Sequence, residues 1–360
     1  MNPRPLDPQS SALAKLRYAP ILRECFPRRS AYCRIQAGSV NAALAEIVTV
    51  HFADSLMVAI RRVGNPVCVG IDPRPEDLPE GFLDAFAGDR PGVASALEAF
   101  GRAVVEVVAP LVPAVKFQAA FYEAYGPEGV AALHATSNLA REAGLIVLMD
   151  GKRNDIGSTA EAYARGYLGK VPVGDRFEPS WDVDAVTVNP YLGSDGINPF
   201  IKVAAREGKG IFSLVRTSNA SARDFQDLIC DGKPLYRHVA ERLAAWGLPH
   251  RGESGYSFVG AVVGATYPAE LAELRKVLPG VPFLVPGYGT QGGSASDVAP
   301  AFDEAGLGAL INNSRGITFA YRKPAAVARF GEDWKAAIVQ AVREMVDDLA
   351  AHSPAARLRD

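Results

Sequence analysis

Residues 150–155 read DGKRND and follow an apolar run, LIVLM, at 145–149. Carboxylates and a lysine this dense at a strand end are costly to bury, and such density is usually retained for binding or chemistry. Asp150 and Lys152 are two apart, so they share a face if the extended conformation continues. Lys116, near the end of another apolar run, VPAVKF, would approach Asp150 from the other side, and Asp155 extends the set into an alternating Lys–Asp–Lys–Asp array. A lysine flanked by carboxylates stays charged, which disfavours Schiff-base chemistry, where a neutral amine is needed. A fixed ammonium can instead stabilise a developing carbanion and then give it a proton. A purely structural ion-pair network is the competing account. It is the weaker one, because buried pairs cost desolvation and bring little stability.

Two glycine-bearing segments suggest an anion grip. PGYGTQGG at 286–293 exposes backbone N–H groups and carries Gln291; NNSRG at 312–316 carries Arg315, whose guanidinium can hold a phosphate through paired donors. The alternative is a flexible loop with a surface arginine. Neither segment has the Walker A or GxGxxG pattern in a strand-to-helix setting, which argues against an ATPase or a dinucleotide enzyme. VRTSN at 215–219 offers Thr217 and Ser218 either to read the edge of a planar base or to cap a following helix. Asp72, in GIDPRP, would accept ribose hydroxyls or cap a turn. Asn189, in NPYLG, lines the cavity or shapes its loop, and Asp195 and Asn198 read as helix caps. The five histidines, His51, His134, His238, His250 and His352, read as helix or loop residues, and no trio has metal-ligand spacing. The aspartates could hold Mg²⁺, but interleaved lysines compete for that place.

The elements that must position these groups alternate along the chain. Strands are expected at 67–72, 112–118, 145–150, 185–189, 210–215, 257–263, 281–285 and 308–312. Helical patterns fall at 96–108, 129–142, 158–168, 235–246, 269–277 and 297–305, with a last amphipathic helix at about 326–349. Continuous apolar strands separated by helices imply a covered parallel sheet. Eight units imply an α/β fold of the closed (β/α)₈ TIM barrel type, with a doubly wound open sheet as the alternative. In such a barrel the site lies at the C-terminal strand ends and a phosphate commonly binds between the loops after strands seven and eight, where the named polar residues fall.

The composition is that of an ordinary globular chain of 360 residues, 48% hydrophobic and 22% charged, with a formal net charge of −2. That charge gives no bias toward nucleic acid or acidic membranes. The apolar runs are too short to span a bilayer, and no signal peptide is evident. The four cysteines, Cys25, Cys33, Cys68 and Cys230, form no CxxC pair, so the reducing cytoplasm is the expected compartment. Residues 1–50 are rich in Pro, Arg, Ser and Ala with weak periodicity. They read as an N-terminal extension, poorly ordered or the product of a mis-assigned start, ahead of one domain at 51–350 and a tail at 351–360.

Together these segments resemble the orotidine 5'-phosphate decarboxylase family, in particular its longer bacterial subgroup, often called type 2. The family motif DxKxxDIxxT is matched throughout by DGKRNDIGST at 150–159, and VCVGIDPRPEDLP, AVKFQAAFYEAYG, VTVNPYLG, VRTSN, VPGYGTQGG and NNSRG resemble its other blocks in order, over roughly residues 52–345. The resemblance implies decarboxylation of orotidine 5'-monophosphate to uridine 5'-monophosphate, the last step of de novo synthesis of that nucleotide, without metal, flavin or other cofactor. It implies that Lys152 protonates C6 as CO₂ leaves, that Asp150 stands against the substrate carboxylate, and that Lys116 and Asp72 contact the ribose and complete the charge network. It further implies a homodimer with shared sites. Asp155 and Thr159 would reach the ribose of the neighbouring subunit's ligand, Gln291 and Arg315 would hold the phosphate, and Thr217 or Ser218 would meet the base. The rivals are a Mg²⁺-dependent 3-keto sugar-phosphate decarboxylase, a Schiff-base aldolase and a phosphate-ligand binding protein on the same scaffold.

Overall fold

The apolar runs become eight parallel strands that close on themselves in sequence order. They are β1 (Val67–Ile71), β2 (Ala114–Gln118), β3 (Ile146–Arg153), β4 (Ala185–Val188), β5 (Gly210–Arg216), β6 (Val259–Val263), β7 (Phe283–Val285) and β8 (Ala309–Asn313). This computed structural model describes residues 50–289 and 291–359. The expected extension at 1–50 therefore lies, but for Val50, outside the described residues. The closed ring removes the open doubly wound sheet as an alternative.

Among the described residues eight helices have ten residues or more: α1 (Phe52–Val63), α2 (Arg90–Val108), α3 (Gly126–Glu142), α4 (Gly157–Leu168), α5 (Ser194–Glu207), α6 (Leu235–Gly247), α7 (Pro268–Val277) and α8 (Trp334–His352). Helix α1 closes the N-terminal end of the barrel. Phe52, Ala53, Leu56, Met57 and Ile60 are buried, and Phe52 meets Phe212 edge-on at 6.1 Å. Each large apolar side chain withdrawn in this way contributes roughly 1.5–3 kcal/mol before chain entropy is charged. Asp54 of α1 accepts backbone N–H bonds from Glu253 and Ser254, tying the plug to the loop before β6. With that end sealed, the open C-terminal mouth is left for a ligand. No helix among the described residues is long and apolar enough to cross a membrane.

Several local readings change. The helix expected at 297–305 is one α-turn, Ala295–Val298, followed by a 3₁₀ turn, Ala299–Ala301. Pro300 explains the break, since it cannot donate to the helix ladder. The last helix is divided at Gly331 (φ 57°, ψ −123°) into Pro324–Phe330 and α8. Within the expected tail, α8 continues to His352, and a 3₁₀ helix at Pro354–Leu358 buries Ala355. Asp195 and Asn198 cap nothing; both lie inside α5, whose N-cap is Gly193. Two antiparallel hairpins stand outside the barrel. Lys170–Val173 pairs with Arg176–Pro179 after α4, and Ile229–Cys230 pairs with Lys233–Pro234 between β5 and α6.

Candidate active site

Strand β3 does not stop at Asp150 but continues to Arg153, and it bulges as it does so. Its pairing with β4 runs Met149↔Val186 and then Arg153↔Val188, so four steps on β3 face two on β4. Lys152, inside this bulge, has φ 46°, a left-handed conformation that a side chain other than Gly, Asn or Asp rarely adopts. The strained backbone is braced from two sides. Within the barrel its N–H donates to Thr187 Oγ1 at 2.9 Å. Outside it, Arg153 Nη1 donates to the Gly151 carbonyl at 3.2 Å, while the guanidinium is held by Glu123 and by the Tyr167 hydroxyl.

The bulge points Lys152 back at Asp150, with Nζ 2.6 Å from Oδ1. Lys116 Nζ lies 3.1 Å from Asp150 Oδ2 and 3.8 Å from Asp72 Oδ1. The parallel register puts Gln118 directly beside Asp150, and Gln118 Nε2 donates to Oδ2 at 3.2 Å. Thr187 Oγ1 donates to Oδ1 at 2.9 Å. Each oxygen of Asp150 thus faces two donors, the full acceptor capacity of a carboxylate. The backbone N–H of Gln118 donates to Asp72. Exposure separates the two lysines: the Lys116 side chain is 5% exposed and that of Lys152 46%. Lys116 is therefore a buried strut, and Lys152 is the cation presented to the mouth.

The electrostatics follow from this packing. Burial alone would raise the Asp150 carboxyl, but the ammonium groups of Lys116 and Lys152 outweigh it and hold it well below the usual carboxylate range. Burial would lower Lys116, and Asp72 and Asp150 reverse that, holding it above the usual lysine range. Burial pushes the Cys68 thiol, beneath Lys116, up to about 12. Asp150 has no acceptor capacity left for a divalent cation. No group of three or more His, Cys, Asp or Glu side chains suited to a metal occurs among the described residues.

The second half of the site is a cavity of about 240 Å³ at the ends of β1, β7 and β8. Its wall includes Asp72, Gly287, Gln291, Asn312 and Arg315, so Asp72 joins it to the charged array. Arg315 opens a single helical turn after β8, is exposed, and makes no ion pair among the described residues. The glycine loop is fastened at its base, where Tyr288 is buried and its hydroxyl donates to Asp348 on α8. Gly287 has φ 102°, and a Cβ there would stand 3.2 Å from Gln291 Oε1 and 3.4 Å from Ser218 Cβ. Gly287 thus lets the loop after β7 approach the end of β5. Gly70 has a similar purpose on β1, where any Cβ would collide with Ser314 Oγ.

The remaining expected residues divide. Ser218 lies against the cavity wall at Gly287, and its carbonyl accepts from Thr266 Oγ1 at 3.3 Å. Thr217 is otherwise engaged: its hydroxyl donates to Asn219 and accepts from Gln226 Nε2, and its N–H donates to Gln226 Oε1. No side chain at Asn219 caps the 3₁₀ turn that follows. Asp155 and Thr159 do not join the array within one chain. Among the described residues Asp155 accepts only from the N–H of Ile156, and Thr159 is exposed in the first turn of α4 without capping it. Asn189 shapes its loop by accepting from the Tyr191 N–H.

Four participants were not singled out from the sequence. Thr187 and Gln118 bind Asp150, Gln226 holds Thr217, and Asn312, in the cavity wall, presents a buried side-chain oxygen with no hydrogen-bond partner among the described residues. A signal existed for Thr187 alone, as the one polar side chain in AVTV, but threonine is also a common strand former.

Comparison with known proteins agrees with this geometry. Residues 65–330 match the model of the Orotidine 5'-phosphate decarboxylase / HUMPS family. A curated orotidine 5'-phosphate decarboxylase from Rhodopirellula baltica is 48% identical over 303 residues, covering 83% of this chain and 98% of that protein. Among solved structures, one from Streptomyces avermitilis, provisionally assigned the same activity, superposes with a TM-score of 0.68 at 33% identity and covers 87% of this chain and 99% of its own. The Leishmania donovani OMP decarboxylase gives a TM-score of 0.63 at 31% identity, covering 84% and 98%. The chain belongs to the orotidine 5'-phosphate decarboxylase / HUMPS family and is an enzyme of it, a decarboxylating lyase.

Proposed function

We propose that the substrate is orotidine 5'-monophosphate and that the products are uridine 5'-monophosphate and CO₂. The observation that carries this reading is the Lys116–Asp150–Lys152 array, with one ammonium buried and the other turned to the mouth, next to a cavity with an unpaired arginine. When the C6–carboxylate bond breaks, its electron pair stays on C6 in the ring plane, with no adjacent electron sink. The Lys152 ammonium stabilises that pair and supplies the proton that forms the C6–H bond; solvent returns a proton to the amine. Asp150 fixes Lys152, and Lys116 fixes Asp150. Arg315 and Gln291 hold the phosphate, Asp72 meets the ribose, and Ser218 rather than Thr217 meets the base, since Ser218 packs against the lining residue Gly287 while the Thr217 hydroxyl is engaged by Asn219 and Gln226. No metal or organic cofactor enters this mechanism.

The reading includes a homodimer in which Asp155 and Thr159 serve the partner's ligand. Thr159 is exposed, Asp155 is half-buried, and neither bonds to the array within one chain, which supports it, as do the exposed Ile156 and Tyr191 nearby. The sequence blocks that resemble the longer bacterial members support a place among them, and the free thiols of Cys68 and Cys230 favour the reducing cytoplasm.

The test is loss of the orotate absorbance when the purified protein meets orotidine 5'-monophosphate in excess EDTA. Formation of uridine 5'-monophosphate is expected. A folded protein that leaves the nucleotide intact, yet acts on a 3-keto sugar phosphate once Mg²⁺ is added, would contradict the reading.

A further inference from the structure

Thr187 is 2% exposed, on a strand otherwise built of Ala and Val, and its single hydroxyl is used twice. It donates to Asp150 Oδ1 at 2.9 Å and accepts the Lys152 N–H at 2.9 Å. These are the carboxylate and the backbone of the two residues on which proton delivery rests. We propose that Thr187 is a positioning residue, whose hydroxyl locks the Asp150 carboxylate and the strained Lys152 backbone together so that the ammonium is aimed at the reacting carbon.

The argument begins with the bulge. Between Met149↔Val186 and Arg153↔Val188 the β3–β4 ladder is interrupted, so the Lys152 N–H cannot take a carbonyl of β4 by regular pairing. A buried N–H without an acceptor costs about 1–3 kcal/mol, and the left-handed backbone at Lys152 adds a cost of similar size. Thr187 Oγ1 meets the first cost and so lets the second persist. Its proton is then committed to Asp150 Oδ1, the same oxygen that holds Lys152 Nζ. With Gln118 and Lys116 on Oδ2, the carboxylate cannot rotate without losing a partner at each oxygen. Gln118 and Lys116 fix Asp150 alone; Thr187 contacts both residues, so it couples the backbone of the proton donor to the carboxylate that orients its side chain. A valine would keep the shape and remove both bonds.

The inference rests on the reading of Lys152 as the proton donor, so Thr187→Val, Thr187→Ala, Thr187→Ser and Lys152→Ala are measured together. Steady-state kinetics with orotidine 5'-monophosphate are paired with binding of uridine 5'-monophosphate, which has the phosphate, ribose and base but needs no proton. Thr187→Val should lower kcat about 10- to 100-fold, with KM and nucleotide affinity within about threefold of wild type. Thr187→Ser, which keeps the hydroxyl, should recover most of the rate. Should valine prevent folding, the alanine variant gives the same comparison. A folded Thr187→Val or Thr187→Ala enzyme with wild-type kcat, beside an inactive Lys152→Ala, would overturn the inference alone. So would parallel losses of kcat and nucleotide affinity that serine does not repair, the mark of a merely structural role. Turnover retained by Lys152→Ala would overturn the underlying reading, and the inference with it.

Discussion

On the β2–β3 side of the barrel mouth, both oxygens of Asp150 are engaged twice and Lys116 is buried between two carboxylates. On the β7–β8 side, among the described residues, Arg315 is exposed without an ion pair and Asn312 presents a buried oxygen with no partner. The first region is complete before any ligand arrives; the second is missing its counter-charge. In the proposed reaction a group that must be aimed at a transient carbanion belongs in the first kind of setting, because reorganisation during the reaction would add to the barrier. A group that must attract and release a phosphate belongs in the second. On the same proposal its attachment to the glycine loop would let binding energy close that loop over the base, far from the bond that breaks. Asp72 belongs to both regions and is the physical link between them.

This contrast can be broken in two ways. The larger expected effect concerns Asp155, which within one chain belongs to neither region. Asp155→Ala alone should lose at least about 100-fold in kcat/KM, as should any variant lacking Lys152. Mixing inactive Asp155→Ala and Lys152→Ala chains should then restore about a quarter of wild-type activity, since half the dimers would carry one complete site. Absence of recovery despite demonstrated subunit exchange would confine the site to one chain. The smaller effect is on the open side. Arg315→Ala should raise KM about 10- to 100-fold through the lost charge-assisted bonds, with a lesser fall in kcat. A fall in kcat at unchanged KM would mean that the two regions are not separable as described.

Much of this organisation was legible from residue order. The eight strands were readable because buried parallel strands are continuous apolar runs. The proximity of Lys116, Asp150 and Lys152 was readable because DGKRND places charges where such a strand ends, whereas Asp155 does not join them within one chain. What was hidden has physical causes. Helix α5 was obscured by Asp195, Asn198 and Pro199 in its first turns, residues that elsewhere mark caps and loops. The hairpins are short and mostly exposed, even at Val173, Phe177 and Ile229, so no core pattern marks them. The bulge at Lys152 was invisible because a two-residue register change depends on the facing strand. Thr187 and Gln118 matter through their neighbours across the sheet, and Gln226 through a loop that folds back on Thr217. The assignment of Ser218 over Thr217 likewise depends on the approach of Gly287, a contact between segments almost 70 residues apart.

The central claim is that the Lys152 ammonium, held by Asp150, stabilises and protonates the carbanion. It is tested most directly by measuring kcat for orotidine 5'-monophosphate with wild type and Lys152→Ala, alongside their affinities for uridine 5'-monophosphate. The account predicts a folded variant that binds the product nucleotide within about tenfold of wild type yet turns over slower by about 10⁴-fold or more. A folded Lys152→Ala enzyme with near-normal kcat would contradict it.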